Sequence, residues 1–257
     1  MKILCLNRVA QESPNQNVIA MKSQGSYISQ KRACLVVIYT AHLGVTSYPQ
    51  ALQIQYALHA RCLQNGLNVL LLTEHLPVIT LGYRRLREQI RWSSGLLMQQ
   101  GIPIVGTERG GGATYHGPGQ LVAYPIFSSL LRRYGVRQFV ARLEEVMCRV
   151  SQASGVAAVR RLGFPGVWAE SRKLGAVGIS VRRGVSLHGC ALNVNLDLRP
   201  FSYIIPCGLT GVEMTSLQRE TGITFAMSEI ETRMRQEFSA VFAATLQEMP
   251  NEWCSAE

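Results

Sequence analysis

The chain has 257 residues, 47% of them hydrophobic, and carries 26 Lys+Arg against 16 Asp+Glu for a net charge of +10. That apolar fraction fills one large core and excludes a disordered chain. No apolar run approaches the roughly 18 residues of a membrane span, and the opening Ile3–Leu6 stretch is too short for a signal peptide. Seven cysteines, with no Cys-x-x-Cys pair, argue against a disulfide framework or zinc site and for a reducing cytoplasm.

Residues 1–32 are polar, mixed in charge and aperiodic, and read as a flexible arm, with Met21 an alternative initiator. One domain is expected over residues 33–250. Cys34–Thr40 predicts a strand. Ser47, with Pro49 in the first turn, predicts a helix through Tyr48, Leu52, Gln55, Tyr56, His59 and Leu63 that Asn65-Gly66 ends. Asn68–Glu74 and Val78–Leu81 predict strands around a Pro77 turn. A short helix over Leu96–Gln100 and a strand over Ile102–Val105 follow. Past a glycine-rich loop, Leu121–Phe127 alternates as a strand. Arg137–Ala153 places Phe139, Leu143, Val146, Met147 and Val150 at helical spacing. Val167-Trp168, Leu174–Val181 and Val185–Leu196 predict further strands. Ser228 with Glu231 predicts a capping box for a last helix with the apolar stripe Ile230, Met234, Phe238, Val241, Phe242 and Leu246. Strands outnumber helices and mostly follow one another, so the expected class is α+β, not doubly wound.

The charges are unevenly placed. Residues 130–183 hold eleven positive side chains against Glu144, Glu145 and Glu170, a net +8, which suits an acidic partner. Of the 26 basic residues 22 are arginine, and beyond residue 31 the single lysine is Lys173. A guanidinium keeps its proton in a protein whereas an amine can lose it, so a lone lysine suggests a titratable task.

Four segments carry chemistry. Arg109-Gly110-Gly111-Gly112-Ala113-Thr114-Tyr115-His116-Gly117-Pro118-Gly119-Gln120 holds five glycines in twelve residues, allowing close backbone approach to a ligand. It is neither a Walker loop nor a dinucleotide fingerprint. Lys173-Leu174-Gly175-Ala176-Val177-Gly178 sets small residues within a strand. His188-Gly189-Cys190-Ala191-Leu192-Asn193-Val194 follows, and Pro206-Cys207-Gly208-Leu209 puts a thiol at a corner.

In this order the four segments resemble the signatures of the lipoyl(octanoyl) transferase family over about residues 33–220. The resemblance implies the single catalytic domain shared with biotin– and lipoate–protein ligases, with mixed sheets flanked by helices. It implies transfer of an octanoyl group from octanoyl-acyl carrier protein to the target lysine of lipoyl domains, in 2-oxoacid dehydrogenases or the glycine cleavage H protein. Cys207 falls on the family's acylated cysteine and Lys173 on its partner. Arg109 to His116, Ala176, Val177, Gly178, Gly189, Cys190 and Ala191 fall on segments that line the acyl pocket. His116 is expected to position or polarise the acyl group, and backbone amides near Gly189–Ala191 to hold the oxyanion. The expected protein is a monomer without nucleic-acid or membrane partners.

The residue chemistry agrees. Passing an acyl group from a thioester to an amide is downhill, so neither ATP, metal nor other cofactor is expected, and the one aspartate, Asp197, offers no carboxylate cluster for magnesium. A thiolate exchanges readily with thioesters. The incoming lysine amine, of ordinary pKa near 10.4, is neutral in only about 1 molecule in 2500 at pH 7, a cost of about 4.6 kcal/mol. A base that takes its proton during attack offsets part of that cost. Cys190 replaces a usually apolar residue; it either packs as a small hydrophobe or forms an oxidation-sensitive pair with Cys207. An ATP-dependent ligase of the same fold has no use for Cys207, whereas a carrier-dependent amidotransferase shares it and stays open. The few aromatics in residues 130–183 argue against a nucleic-acid module, and a non-catalytic carrier-binding relative has little reason to keep both Cys207 and Lys173.

Overall fold

The computed structural model describes residues 36–253, so the expected arm over residues 1–32 lies outside the described residues. Strand β1 (Val36–Thr46) leads into helix α1 (Tyr48–Asn65). Ser47 caps that helix through the Gln50 N–H, and Gly66, at φ 68°, closes it by donating to Cys62 O. Strands β2 (Asn68–His75) and β3 (Val78–Leu81) flank Pro77 as expected but do not pair with each other. Leu76 N still donates to Thr46 O on β1, and Pro77, lacking an N–H, ends that ladder and sends β3 into a second sheet.

Helix α2 (Ser94–Gln99) and strands β4 (Ile104–Gly106), β5 (Thr114–His116) and β6 (Gln120–Phe127) follow. Helix α3 (Ser129–Ala153) begins earlier than Arg137, because Gly135, at φ 70° and ψ 164°, joins two helical pieces. Strands β7 (Ala158–Arg161), β8 (Phe164–Ala169), β9 (Arg172–Arg182) and β10 (Val185–Asn193) form a meander. Helices α4 (Leu217–Thr221) and α5 (Met227–Phe242) precede a last strand, β11 (Ala244–Glu248).

The C-terminal end corrects two expectations. Helix α5 starts at Met227 behind Ala226, with no side-chain cap; Ser228 lies inside its first turn, and Glu231 faces His42 at 2.9 Å instead of reaching back. Leu246 is not on the helical stripe. Ala243 turns left-handed at φ 49°, and the next residues pair in parallel with β1, Leu246 opposite Ile38. The open edge of β1 supplies backbone partners that a further helical turn would not reach.

The large sheet has the order β11-β1-β2-β6-β10-β9-β8-β7, and the small one β4-β3-β5. Strand alternation feeds two cores. Leu70, Leu72, Leu121, Ala123, Cys190 and Leu192 face the α3 and α5 side with Phe139, Met147, Phe238 and Phe242. Val69, Leu71, Val122, Tyr124 and Ala191 face α1 with Ala51, Leu58 and Cys62. A third core lies under the small sheet, from Ile79, Leu97, Ala113, Tyr115, Phe201 and Ile204. Helices on both faces of a mixed sheet, and strands that mostly succeed one another, make the class α+β. At its centre β6 and β10 approach so closely that a Cβ on Gly189 would lie 1.9 Å from Ala123 O, which only glycine avoids. Among the described residues no helix is long and apolar enough to cross a membrane.

Candidate active site

Cys207 occupies the short turn Pro206–Gly208 with left-handed backbone angles, φ 56° and ψ 15°. That conformation is costly for a residue with a Cβ and is held by its surroundings. Its N–H donates to Ala113 O at 2.8 Å, and a Cβ on Gly112 would lie 3.0 Å from its carbonyl carbon. The glycine-rich loop and the thiol turn are therefore packed backbone to backbone, and the half-buried side chain is left facing the cavities described below.

Lys173 comes from the start of β9. Its backbone is strapped to the segment after the thiol turn, donating to Glu213 O at 2.8 Å and accepting from Thr215 N at 2.9 Å. The side chain is 2% exposed, passes 5.4 Å from the Trp168 ring centroid, and brings Nζ to 3.4 Å from Cys207 Sγ. Gly166 makes room: a Cβ there would meet Gly175 O at 2.3 Å and Lys173 Cε at 3.1 Å. The only lysine beyond residue 31 thus lies buried against the cysteine of the corner motif.

Two cavities share Cys207. A narrow inner one, of about 40 Å³, is lined by Arg109, Gly110, Gly111, Thr114, His116, Ala176, Val177, Gly178, Gly189, Cys190 and Ala191. An outer one, of about 290 Å³, has Lys173, Val140, Phe164, Pro165 and Leu209 on its wall. Three members of the expected lining are placed elsewhere. Ala113 and Tyr115 alternate into the third core, and Gly112 backs onto Cys207 and Gln89. The inner cavity also uses Tyr48, Val122, Tyr124 and His188, which sequence reading missed as lining residues. Only β-alternation in β6, combined with knowledge of its neighbours, would have found Val122 and Tyr124; Tyr48 carried no signal beyond its helix.

Arg109 is 7% exposed and has no carboxylate partner among the described residues. It donates to Thr80 O and Oγ1, and to Gly110 O. Burial presses its pKa below the ordinary arginine value, while the Tyr48 hydroxyl and the Cys207 thiol act in the opposite sense. Its positive charge therefore stands unneutralised at the cavity wall, ready to face an anion or a developing oxyanion.

His116 has both ring nitrogens engaged. Nδ1 faces Gln120 Oε1 at 2.7 Å and therefore carries the proton; Nε2 faces Thr80 Oγ1 at 3.3 Å. Gln120 passes the chain on to Asn193 Oδ1, and Asn193 to Thr215 O, next to the Lys173 strap. Burial, then His75 and Arg109, push the His116 pKa down to about 3, so it is a neutral hydrogen-bonding group. The amides of Cys190 and Ala191 belong to β10, which is paired with β6 on one side and β9 on the other. The expectation that this stretch holds an oxyanion is not met, since a central strand's amides serve its ladders. Cys190 is 3% exposed in the core beneath α3 and α5, where burial pushes its thiol up to about 12, so it packs as a small hydrophobe.

His75 and His188 join His116 as buried neutral imidazoles, each pushed down to about 4 chiefly by burial. The unfolded chain protonates these rings near pH 6.5, whereas the folded chain resists until pH 4 or below. A depressed folded pKa means stability is full above about 6.5 and falls as pH drops through that window, by up to about 1.4 kcal/mol per pH unit for each ring. The melting temperature is expected to fall steeply between pH 6.5 and 4.5 and to be flat above 7; a flat profile across both ranges would contradict the neutral cluster.

A mixed sheet with helices on both faces is the fold of a lipoyl-ligase-class catalytic domain, and this one holds a cysteine–lysine pair at a cavity mouth. Residues 47–239 match the lipoyl protein ligase A/B catalytic domain family. The bi-partite lipoate protein ligase of Thermoplasma acidophilum superposes with a TM-score of 0.69 at 16% identity, covering 85% of this chain and 88% of that one. The biotin protein ligase of Aquifex aeolicus superposes with a TM-score of 0.50 at 14% identity, covering 80% and 70%. These likenesses show the fold. In sequence the chain is 47% identical over 200 residues to the octanoyltransferase of Desulfotalea psychrophila, covering 76% of this chain and 90% of that protein. The chain belongs to the octanoyltransferase family and is an acyltransferase.

Proposed function

We propose that this octanoyltransferase works through a thioester on Cys207, taking the octanoyl group from octanoyl-acyl carrier protein and delivering it to the target lysine of lipoyl domains in the cytoplasm. The observation that carries the reading is the 3.4 Å approach of a buried amine, Lys173 Nζ, to Cys207 Sγ. In the first half the Cys207 sulfur attacks the thioester carbonyl and Lys173 holds the proton that leaves the thiol. The carrier's sulfur departs with that proton, leaving an octanoyl-Cys207 thioester. In the second half the acceptor amine attacks the same carbonyl, Lys173 accepts the amine's proton, and the Cys207 sulfur leaves and regains it. An amide has replaced a thioester, with no other reactant consumed.

The inner cavity, walled by Val122, Tyr124, Cys190 and Ala191, takes the alkyl chain by widening, since its volume has room for only about three waters. Positive charge for the tetrahedral oxyanion comes from Arg109, whose burial makes it effective in a low dielectric. His116 acts as a positioning residue that holds Thr80, and through it Arg109. Purified protein given octanoyl-carrier and a lipoyl domain without ATP is expected to yield the octanoylated domain. Transfer that appears only with free octanoate and ATP would replace this reading with a ligase.

A further inference from the structure

Residues 82–92 carry Arg84, Arg85, Arg87 and Arg91 against Glu88, a net +3 in eleven residues. All four arginines are exposed, and among the described residues none is ion-paired. The +8 segment over residues 130–183 differs: its Arg149, Arg160, Arg172 and Arg182 pair with carboxylates of this chain, and Lys173 is buried at Cys207. Glu145 and Glu170 are already counted in that +8, so pairing with Glu108, Glu220 and Glu237 leaves most of it, spread over Arg132, Arg133, Arg137, Arg142, Arg161 and Arg183, whereas in the 82–92 loop four unpaired arginines fall within eight residues.

This loop is also fastened to the thiol turn. Tyr83 N donates to Arg109 O at 2.9 Å, Ile205 N to Gln89 O at 2.7 Å, and Arg91 N to Tyr203 O at 2.8 Å. The buried Gln89 side chain accepts from Ala113 N at 2.6 Å. Trp92, half exposed, stacks on Tyr203 with centroids 3.9 Å apart. From Arg91 a cleft of about 360 Å³ runs past Phe201 and Pro206 to Leu209, which also walls the outer cavity at Cys207 and Lys173.

We propose that the arginine loop is the docking surface for the acidic carrier protein that delivers the octanoyl thioester, with the carrier's flexible arm laid along the cleft towards Cys207. This rests on the octanoyl-transfer reading above. The cleft and the outer cavity meet at Leu209, so an arm lying in the cleft points towards Cys207. The acceptor lysine then comes from the other side, across the outer cavity where Lys173 lies. Because salt screens exposed charges beyond about 8 Å at physiological strength, a fixed cluster beside the cleft steers a partner to the cleft itself. Rigid anchoring of the loop lets the docked carrier present its thioester in register with Cys207.

The test compares two donors, octanoyl-acyl carrier protein and octanoyl-pantetheine, on Arg84→Glu/Arg87→Glu and on a control, Arg137→Glu/Arg160→Glu. The loop variant is expected to raise KM for the carrier donor about tenfold or more at low salt and to flatten its salt dependence. Its kcat, its kinetics with octanoyl-pantetheine and its KM for the lipoyl domain stay at wild-type values, as does everything in the control. An unchanged carrier KM overturns the proposal, as does a rise confined to the lipoyl domain, which would assign the loop to the acceptor. Wild-type protein inactive with both donors overturns the octanoyl-transfer reading itself, a result distinct from either.

Discussion

Incubated with octanoyl-carrier, Cys207→Ala is expected to show no mass gain, whereas the wild-type protein gains one octanoyl group in place of a hydrogen. Transfer to a lipoyl domain should fall to the uncatalysed level. The size of the effect follows from what remains. Without the sulfur the acceptor amine must attack the carrier thioester directly, and at pH 7 only about 1 in 2500 such amines is neutral. The turn should survive the substitution, because its contacts are made by backbone: Cys207 N on Ala113 O, Gly208 N on Ile205 O and Leu209 N on Pro206 O. The left-handed angles at residue 207 are no harder for alanine than for cysteine. Cys190→Ala serves as the control. That thiol is buried in the core and should acquire no octanoyl group, so its variant keeps the wild-type mass gain at a modest cost in stability. A gain in mass that persists in Cys207→Ala and vanishes in Cys190→Ala would move the thioester to the wrong sulfur and end the mechanism.

Replacing Lys173 is expected to cost about 10² to 10⁴ in turnover, the usual worth of a positioned proton acceptor. Two variants separate charge from proton transfer. Lys173→Arg keeps the positive charge but cannot take a proton; Lys173→Met keeps the length, in the space that Gly166 leaves by lacking a Cβ, and removes both. Both should be slow at pH 7. In Lys173→Met the acceptor must deprotonate in solution before it attacks, so the rate should rise about tenfold per pH unit up to the ordinary amine pKa near 10.4. A merely structural lysine would give a slow variant with the wild-type pH profile. Near-normal turnover in Lys173→Arg would refute the proton-transfer role outright.

Much of the site was legible along the chain because it is written in residue types. A single lysine after residue 31, five glycines around Arg109–Gln120 and a Pro-Cys-Gly corner stand out whatever the fold. Periodicity likewise located β6, the buried stripe of α5 and the extent of α1, but α1 buries Ala51, Gln55, Leu58 and Cys62 and leaves Tyr56 exposed. What failed were features whose partners lie far away in sequence. Strand β11 has five residues with mostly exposed side chains and exists because β1 offers it an edge. The Ser228 capping pattern lost to a helix whose cap position falls two residues earlier, at Ala226, and to a Glu231 drawn towards His42. Gln89 and Thr80 look like ordinary polar residues until the fold places one against Ala113 N and the other between Arg109 and His116.

Residue identity alone settled which side chains can carry acyl transfer, since nucleophilicity and the capacity to give up a proton are properties of a thiol and an amine wherever they stand. Tertiary structure decided that Cys207 and Lys173 meet at 3.4 Å, that Arg109 keeps a buried unpaired charge, and that the 189–191 amides are committed to a central strand. Distances of that kind depend on how β9, the 213–215 strap and the thiol turn pack together, and local spacing carries no record of packing between segments dozens of residues apart.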